Sequence, residues 1–217
     1  PLKNGNIGVS LKSGYPWKGN NTIEITSSPR GASTINIRIP GWLKEPVAEG
    51  LYKYRDTAVV APVITLNGKP IIYKEEKGYA VITRPWKKGD VINFETPMRV
   101  REVISRPELK QNENRIALQY GPMVYCVEGA DNNNSAFNFV LSERPGYTVS
   151  FKPELLNGIN TINFNANIIE IAADGRSANT VQKQLTAIPY YAWNNRGPNE
   201  MQVWLPVTIG KVTVVPD

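Results

Sequence analysis

Apolar residues along this chain mostly recur at every second position, the spacing of half-buried strands, and not at every third and fourth as on a helix face. In "TIEIT" Ile23 and Ile25 share one side; in "STINIRIP" Ile35, Ile37 and Ile39 do, leaving Asn36 and Arg38 to face water. "GYAVITRPWKKGDVINFETP" predicts a hairpin: strands from about Tyr79 to Arg84 and Val91 to Thr96, joined by a loop in which Gly89 takes positive φ. Further alternating or apolar runs fall at 6–12, 58–66, 115–120, 123–128, 161–171, 181–191 and 201–208. Near the end of the chain, Ala187 to Trp193 and Met201 to Pro206 read as neighbouring strands with "NNRGPN" as their turn.

Helix signals are poor. Pro46 and Gly50 interrupt "WLKEPVAEGLYKYRD", which allows one helical turn at most, and "KPELLNG" reads as another single turn. The sequence carries no repeat of solenoid or propeller length. Many short strands between Gly, Pro and Asn turns predict an all-β chain of two consecutive β-sandwich domains with little helix. Charge helps to place the joint. Residues 1–105 hold 16 Lys and Arg against 9 Asp and Glu, the remainder 9 against 10, and the balance changes near "MRVREVISRP" (98–107). The expected domains are therefore 1–104 and 105–217.

Composition narrows the function classes. The longest nearly apolar run, Ala58 to Leu66, contains a proline and is far short of a membrane span. Although the net charge is +6, no basic run exceeds Lys87-Lys88 and acids are interleaved, so a solvated basic face is favoured over a nucleic-acid surface. The start at Pro1 reads as a piece cut from a longer protein. A single cysteine, Cys126, rules out an internal disulfide, and the lack of any histidine removes Ser-His-Asp, Cys-His and His-based zinc constellations from these residues.

Several side chains could still carry chemistry. Glycoside hydrolysis needs two positioned carboxyl groups, for which Glu75, Glu76, Glu95, Glu128, Asp131 and Glu200 are candidates, but acids of this kind mostly sit on solvated strand faces or turns. "DNNNSAFNF" opens like a calcium loop and then departs from one at Ala136 and Ser142, so an Asn-rich turn is the better account. Cys126 lies in an apolar strand and reads as inert core filling. Among the tryptophans, Trp193 stands against a turn, while Trp204 shares its side with Gln202 and is the less certain core member.

Five phrases, "YPWKGNNTIEI", "INIRIPGW", "GYAVITRPWKKGD", "NRIALQYGPMVYCVEGAD" and "AIPYYAWNNRGPNEMQVWLP", together resemble the C-terminal part of glycoside hydrolase family 127, the β-L-arabinofuranosidase type. They occur in the family's order and span nearly the whole chain. The resemblance implies a bacterial enzyme, periplasmic or secreted, that removes arabinofuranose from plant glycans, with an N-terminal (α/α) barrel ahead of β-sandwich domains. It further implies a retaining reaction in which zinc, held by cysteines and a glutamate of the barrel, supports a cysteine nucleophile.

No catalytic or metal-binding residue of that kind carries over to this chain, so zinc is expected only in the absent catalytic domain. The expected role is a non-catalytic support whose partner is that domain. Tyr190, Tyr191, Trp193 and Arg196 are the candidate contacts, to the catalytic domain or to a plant glycan. A carbohydrate-binding module using exposed aromatics is the alternative, and a free-standing enzyme with a carboxylate dyad is a third reading.

Overall fold

The computed structural model describes residues 5–28, 30–46, 48, 50–58, 61–171 and 178–212. Within these the chain is all-β, its only helical segments being 3-10 turns such as Gly41–Leu43. It divides into two compact units, 1–47 with 58–98, and 48–57 with 99–217.

The first unit is a two-layer sandwich. Its strands are β1 (Gly8–Ser13), β2 (Asn20–Ser27) and β3 (Ala32–Arg38), then, after β4 (Tyr52–Tyr54) of the other unit, β5 (Val63–Leu66), β6 (Lys69–Pro70), β7 (Lys74–Glu76), β8 (Tyr79–Pro85) and β9 (Val91–Glu95). One sheet has the order β1-β2-β9-β5-β6 and the other β3-β8-β7. Ile25, Ile64, Leu66, Ile92 and Phe94 from the first sheet meet Ile37, Ala80 and Ile82 from the second in one core, as period-two burial requires.

The expected hairpin of β8 and β9 does not form. β8 pairs with β3 and β7, β9 with β2 and β5, so residues 86–90 carry the chain from one layer to the other. Both strands are apolar on one face and both faces look into the same core; pairing them side by side would leave the sandwich one layer thick. Gly89 does take positive φ (88°), and Trp86, buried at the crossing, donates Nε1–H to the Ser33 carbonyl at 2.9 Å.

The second unit comprises β4 with β10 (Val100–Ser105), β11 (Arg115–Tyr120), β12 (Met123–Glu128), β13 (Phe139–Leu141), β14 (Thr148–Lys152), β15 (Ile159–Ile171), β16 (Ala178–Pro189), β17 (Met201–Gln202) and β18 (Leu205–Pro206). They form one sheet of order β13-β15-β16-β12-β11-β10-β4, with β14 also on β15. Five strand steps separate β14 from β10, about 24 Å if the sheet were flat. Yet Tyr147, at the entry to β14, donates its hydroxyl to Glu102 on β10 at 2.7 Å. The sheet is therefore folded over, and its two halves enclose a core built from Ile116, Leu118, Tyr125, Phe139, Ile162 and Phe164 with their neighbours.

Two expectations about organisation change here. The joint falls at 98/99 instead of 104/105, because β10 is an integral strand of the second sheet, paired to both β11 and β4. The segment 48–57, expected in the first domain, belongs to the second: Tyr54 pairs with Val103, its hydroxyl accepts from Gln119 Nε2 at 2.8 Å, and Arg101 stacks 3.4 Å above its ring. The run expected over 58–66 contributes a strand only from Val63; Val59 and Val60 lie outside the described residues.

Candidate functional site

Strands β11 and β12 form a tight hairpin around Gly121 and Pro122 and then diverge, and the segment 201–206 fills the gap between them. Val127 pairs with Gln202 on one edge and with Ala187 of β16 on the other. The runs 187–193 and 201–206 thus flank β12 on opposite sides and are not neighbouring strands as the sequence led us to expect. Residues 190–200 must cross the end of β12 to connect them, and Glu128 is the residue they cross.

Glu128 has no exposed surface. Its carboxylate is met entirely by the crossing segment: the Asn194 backbone N–H and Asn199 Nδ2 both donate to Oε1 at 2.9 Å, and Arg196 Nη2 donates to Oε2. Arg196 also forks onto Asp131, with Nη1 to Oδ1 at 2.6 Å. Positive φ at Asn194 (62°) and Gly197 (93°) gives the backbone the two reversals it needs to bring these donors round. The acidic partners are fixed as well. Asn132 Nδ2 bonds the Glu128 and Thr186 carbonyls, its Oδ1 accepts the Thr186 N–H, and Asn199 Oδ1 accepts the Ala130 N–H.

Electrostatics follow from this geometry. Burial is the largest influence on Glu128 and pushes its pKa up, but the bonds from Asn199, Asn194 and Arg196 together outweigh it and hold the carboxyl below its usual range. Arg196 is held more firmly protonated than a free arginine, chiefly by the bonds it donates to Asp131. Cys126, two residues before Glu128, is 1% exposed, and burial first, then the Glu128 and Asp131 charges, push its thiol up to about 12. Such a thiol stays protonated at neutral pH and is no nucleophile.

The sequence-predicted site residues divide. Arg196 turns its guanidinium into the network, whereas Tyr190, Tyr191 (63% exposed) and Trp193 (36%) present their rings to solvent on the same segment. Of the candidate carboxylates, Glu128 and Asp131 come together and Glu200 lies close by in the network, its Oε2 accepting the Ala136 N–H at 2.7 Å. Glu75 and Glu76 form surface pairs with lysines. The expectation that Glu128 sits on a solvated face was wrong: it occupies the same buried phase of β12 as Cys126. Trp204 is half-buried against Tyr52, its ring centroid 5.4 Å away; the bend at Val203–Trp204 breaks the alternation that had placed it with Gln202. Among the described residues no three His, Cys, Asp or Glu side chains converge on a metal position. An open cleft of about 690 Å³ runs beside the network, lined by Asp131, Asn132, Asn133, Ser135 and Gln184 over Phe139, but Asp131 and the Asn132 amide are already committed to protein partners.

The first unit is a β-sandwich and the second a folded-over sheet in which the buried Glu128 carboxylate braces the segment 190–200. Residues 1–98 match the middle domain of the glycoside hydrolase family 127 β-L-arabinofuranosidases and residues 100–206 the family's C-terminal domain. The chain belongs to glycoside hydrolase family 127, of which it is the non-catalytic middle and C-terminal part.

A non-reducing end β-L-arabinofuranosidase of Bifidobacterium longum subsp. longum is 28% identical across 90% of this chain. Among solved structures, a family 127 β-arabinofuranosidase is 37% identical with a TM-score of 0.88 over 95% of the chain, and a family 127 β-L-arabinofuranosidase from Geobacillus stearothermophilus is 31% identical with a TM-score of 0.78 over 92%. The chain spans 30% of the Bifidobacterium protein and 32% and 30% of the two structures.

Proposed function

We propose that this chain is the rigid support of a β-L-arabinofuranoside-cleaving enzyme, and that the segment 190–200 bears against the catalytic domain ahead of it. The observation that carries this reading is the buried Glu128 carboxylate, whose donors all come from that one segment. A loop anchored this way displays Tyr190, Tyr191 and Trp193 without the ordering cost that exposed aromatics on a slack loop would incur on contact. Contacts between domains of one chain bury roughly 600 to 1,500 Å² and are fairly polar, which suits two tyrosines and a tryptophan beside charged groups.

On the same reading the reaction, and the zinc expected for it, belong to the preceding domain. The only thiol here, Cys126, is packed in the core and held protonated, so no step is routed through this chain. Export to the periplasm or beyond follows from the proposed substrate, since plant glycans are met outside the cell. The isolated chain is expected to leave an aryl β-L-arabinofuranoside intact; turnover by this chain alone would refute the reading.

The exposed aromatic trio favours one second reading, a carbohydrate-binding module in which Tyr191 and Trp193 stack on sugar rings. Tryptophan fluorescence titrated with arabinan and arabinogalactan oligosaccharides separates the two. Saturable quenching lost in the Trp193→Ala variant supports the module; a flat response supports the scaffold.

A further inference from the structure

The five-stranded sheet of the first unit is wider than the three-stranded sheet that faces it, and β1 is the overhang. Register pairs Val9 with Ile25 and Leu11 with Ile23, while Ser10 and Lys12 pair with Glu24 and Thr22. Directly opposed residues share a face, so Val9 and Leu11 point to the core side of the sheet. Ile25 is fully buried there and Ile23 packs against the same core, yet Val9 is 55% and Leu11 64% exposed. Apolar residues inward and polar ones outward is the pattern of a strand covered on one face. Among the described residues nothing covers it, and β1 bonds only to β2, leaving its outer edge open.

The occupant can be argued from where the chain joins its relatives. Residues 1–98 match a middle domain and 100–206 a C-terminal one, and the chain makes up about a third of the relatives' length. On the proposed reading, what those proteins carry beyond it lies ahead of their middle domain, and here would join at Pro1, eight positions before Val9. Eight extended residues reach at most about 28 Å. A domain tethered that closely is present at an effective concentration of millimolar order, so a narrow apolar row suffices where a free partner would need an interface of about 1,000 Å². A Val and a Leu side chain, with no polar group to satisfy, call for an apolar surface on that domain.

We propose that the inner face of β1, through Val9 and Leu11, is the seat of the catalytic domain that precedes Pro1 in the full-length protein. This rests on the reading that such a domain exists.

The test is made in the full-length protein, with the photo-crosslinker p-benzoylphenylalanine replacing Leu11 and, as a control on the opposite face, Lys12. Irradiation at position 11 is expected to give adducts that mass spectrometry maps to residues ahead of Pro1, and position 12 is expected to give none. Adducts to a second copy or to residues 99–217 of the same chain, or no adduct at position 11, overturn the proposal. A full-length protein with no domain ahead of Pro1 would instead remove the functional reading itself. As an independent arm, the V9S/L11S double variant is expected to leave the melting temperature of the isolated chain unchanged, because both side chains are exposed there. In the full-length protein it is expected to make the preceding domain more susceptible to protease; unchanged susceptibility counts against the proposal.

Discussion

Arg196 reaches across the end of β12 to the carboxylate of Glu128, sixty-eight positions earlier in the chain and without exposed surface. Removing the guanidinium would leave a buried anion with two amide donors, and losing one partner of a buried pair costs about 3 to 5 kcal/mol. Arg196→Ala is expected near the lower end, since Asn194 and Asn199 still donate. Arg196→Lys should recover only part of the loss, because an ammonium cannot fork onto Glu128 and Asp131 together. Urea unfolding midpoints check both; wild-type stability in Arg196→Ala would mean that the network does not hold the segment.

Acid should weaken both units. Glu128 is held below its usual range as described, and so is Asp90, through the bond from Asn67 Nδ2 first and the Lys87 N–H second, each at 2.9 Å. A carboxyl with a lower pKa folded than unfolded binds fewer protons in the native state, so its stabilisation is complete above the unfolded value of about 4 and is lost as pH falls through the folded one. Urea midpoints measured at steps between about pH 6 and pH 3 should fall steadily. The fall should be shallower in Glu128→Gln, which starts from a lower stability but has one fewer group to titrate.

Cys126 should be chemically silent in the folded protein. Its sulfur is buried and its thiol is pushed up to about 12, and thiol–disulfide exchange needs the thiolate. Ellman's reagent at mildly alkaline pH is expected to label no cysteine in the native chain and one per chain in concentrated urea. Fast native labelling would show that this face of β12 opens.

Asp56 should matter to the second unit although the short segment 48–57 that holds it lies in sequence between two stretches of the first. Arg101, 7% exposed at its side chain, donates Nη2 to Asp56 Oδ1 at 2.7 Å while stacking on Tyr54. Hydrogen bonds to charged groups contribute about 1.5 to 3 kcal/mol, and Asp56→Ala is expected to cost about that much. Near-UV circular dichroism and urea unfolding should report the loss in the unit that holds Trp193 and Trp204. A loss confined to the unit that holds Trp17, Trp42 and Trp86 would contradict the placement of β4.

Alternation made the strands legible and left their partners illegible. Ile23 and Ile25, Ile35 and Ile37, Ile92 and Phe94 all face the core as their spacing required, because burial of one face is a local property. Which strand lies beside which is not. Tyr79–Pro85 and Val91–Glu95 look like a hairpin from proximity and a permissive Gly89, but the turn they make spans two layers, a choice settled by β3 and β2 far away in sequence. The excursion 48–57 was hidden for the same reason.

At the site, the residues 190–196 drew notice for their aromatic content, and Arg196 is the one cation between Lys183 and Lys211. Its partner was missed although a signal existed. Glu128 occupies the phase of Cys126 in an otherwise apolar strand, and an ionisable residue on a buried phase calls for a partner. Only the fold reveals that the partner comes from the segment crossing that strand's end.

The most direct test compares the full-length protein with a version that stops ahead of Pro1, assayed for soluble yield and for hydrolysis of an aryl β-L-arabinofuranoside. The shortened version is expected to be poorly soluble or inactive, and the full-length Arg196→Ala variant to lose thermal stability along with activity. Full activity and undiminished stability in the shortened version would contradict the role of this chain as a support.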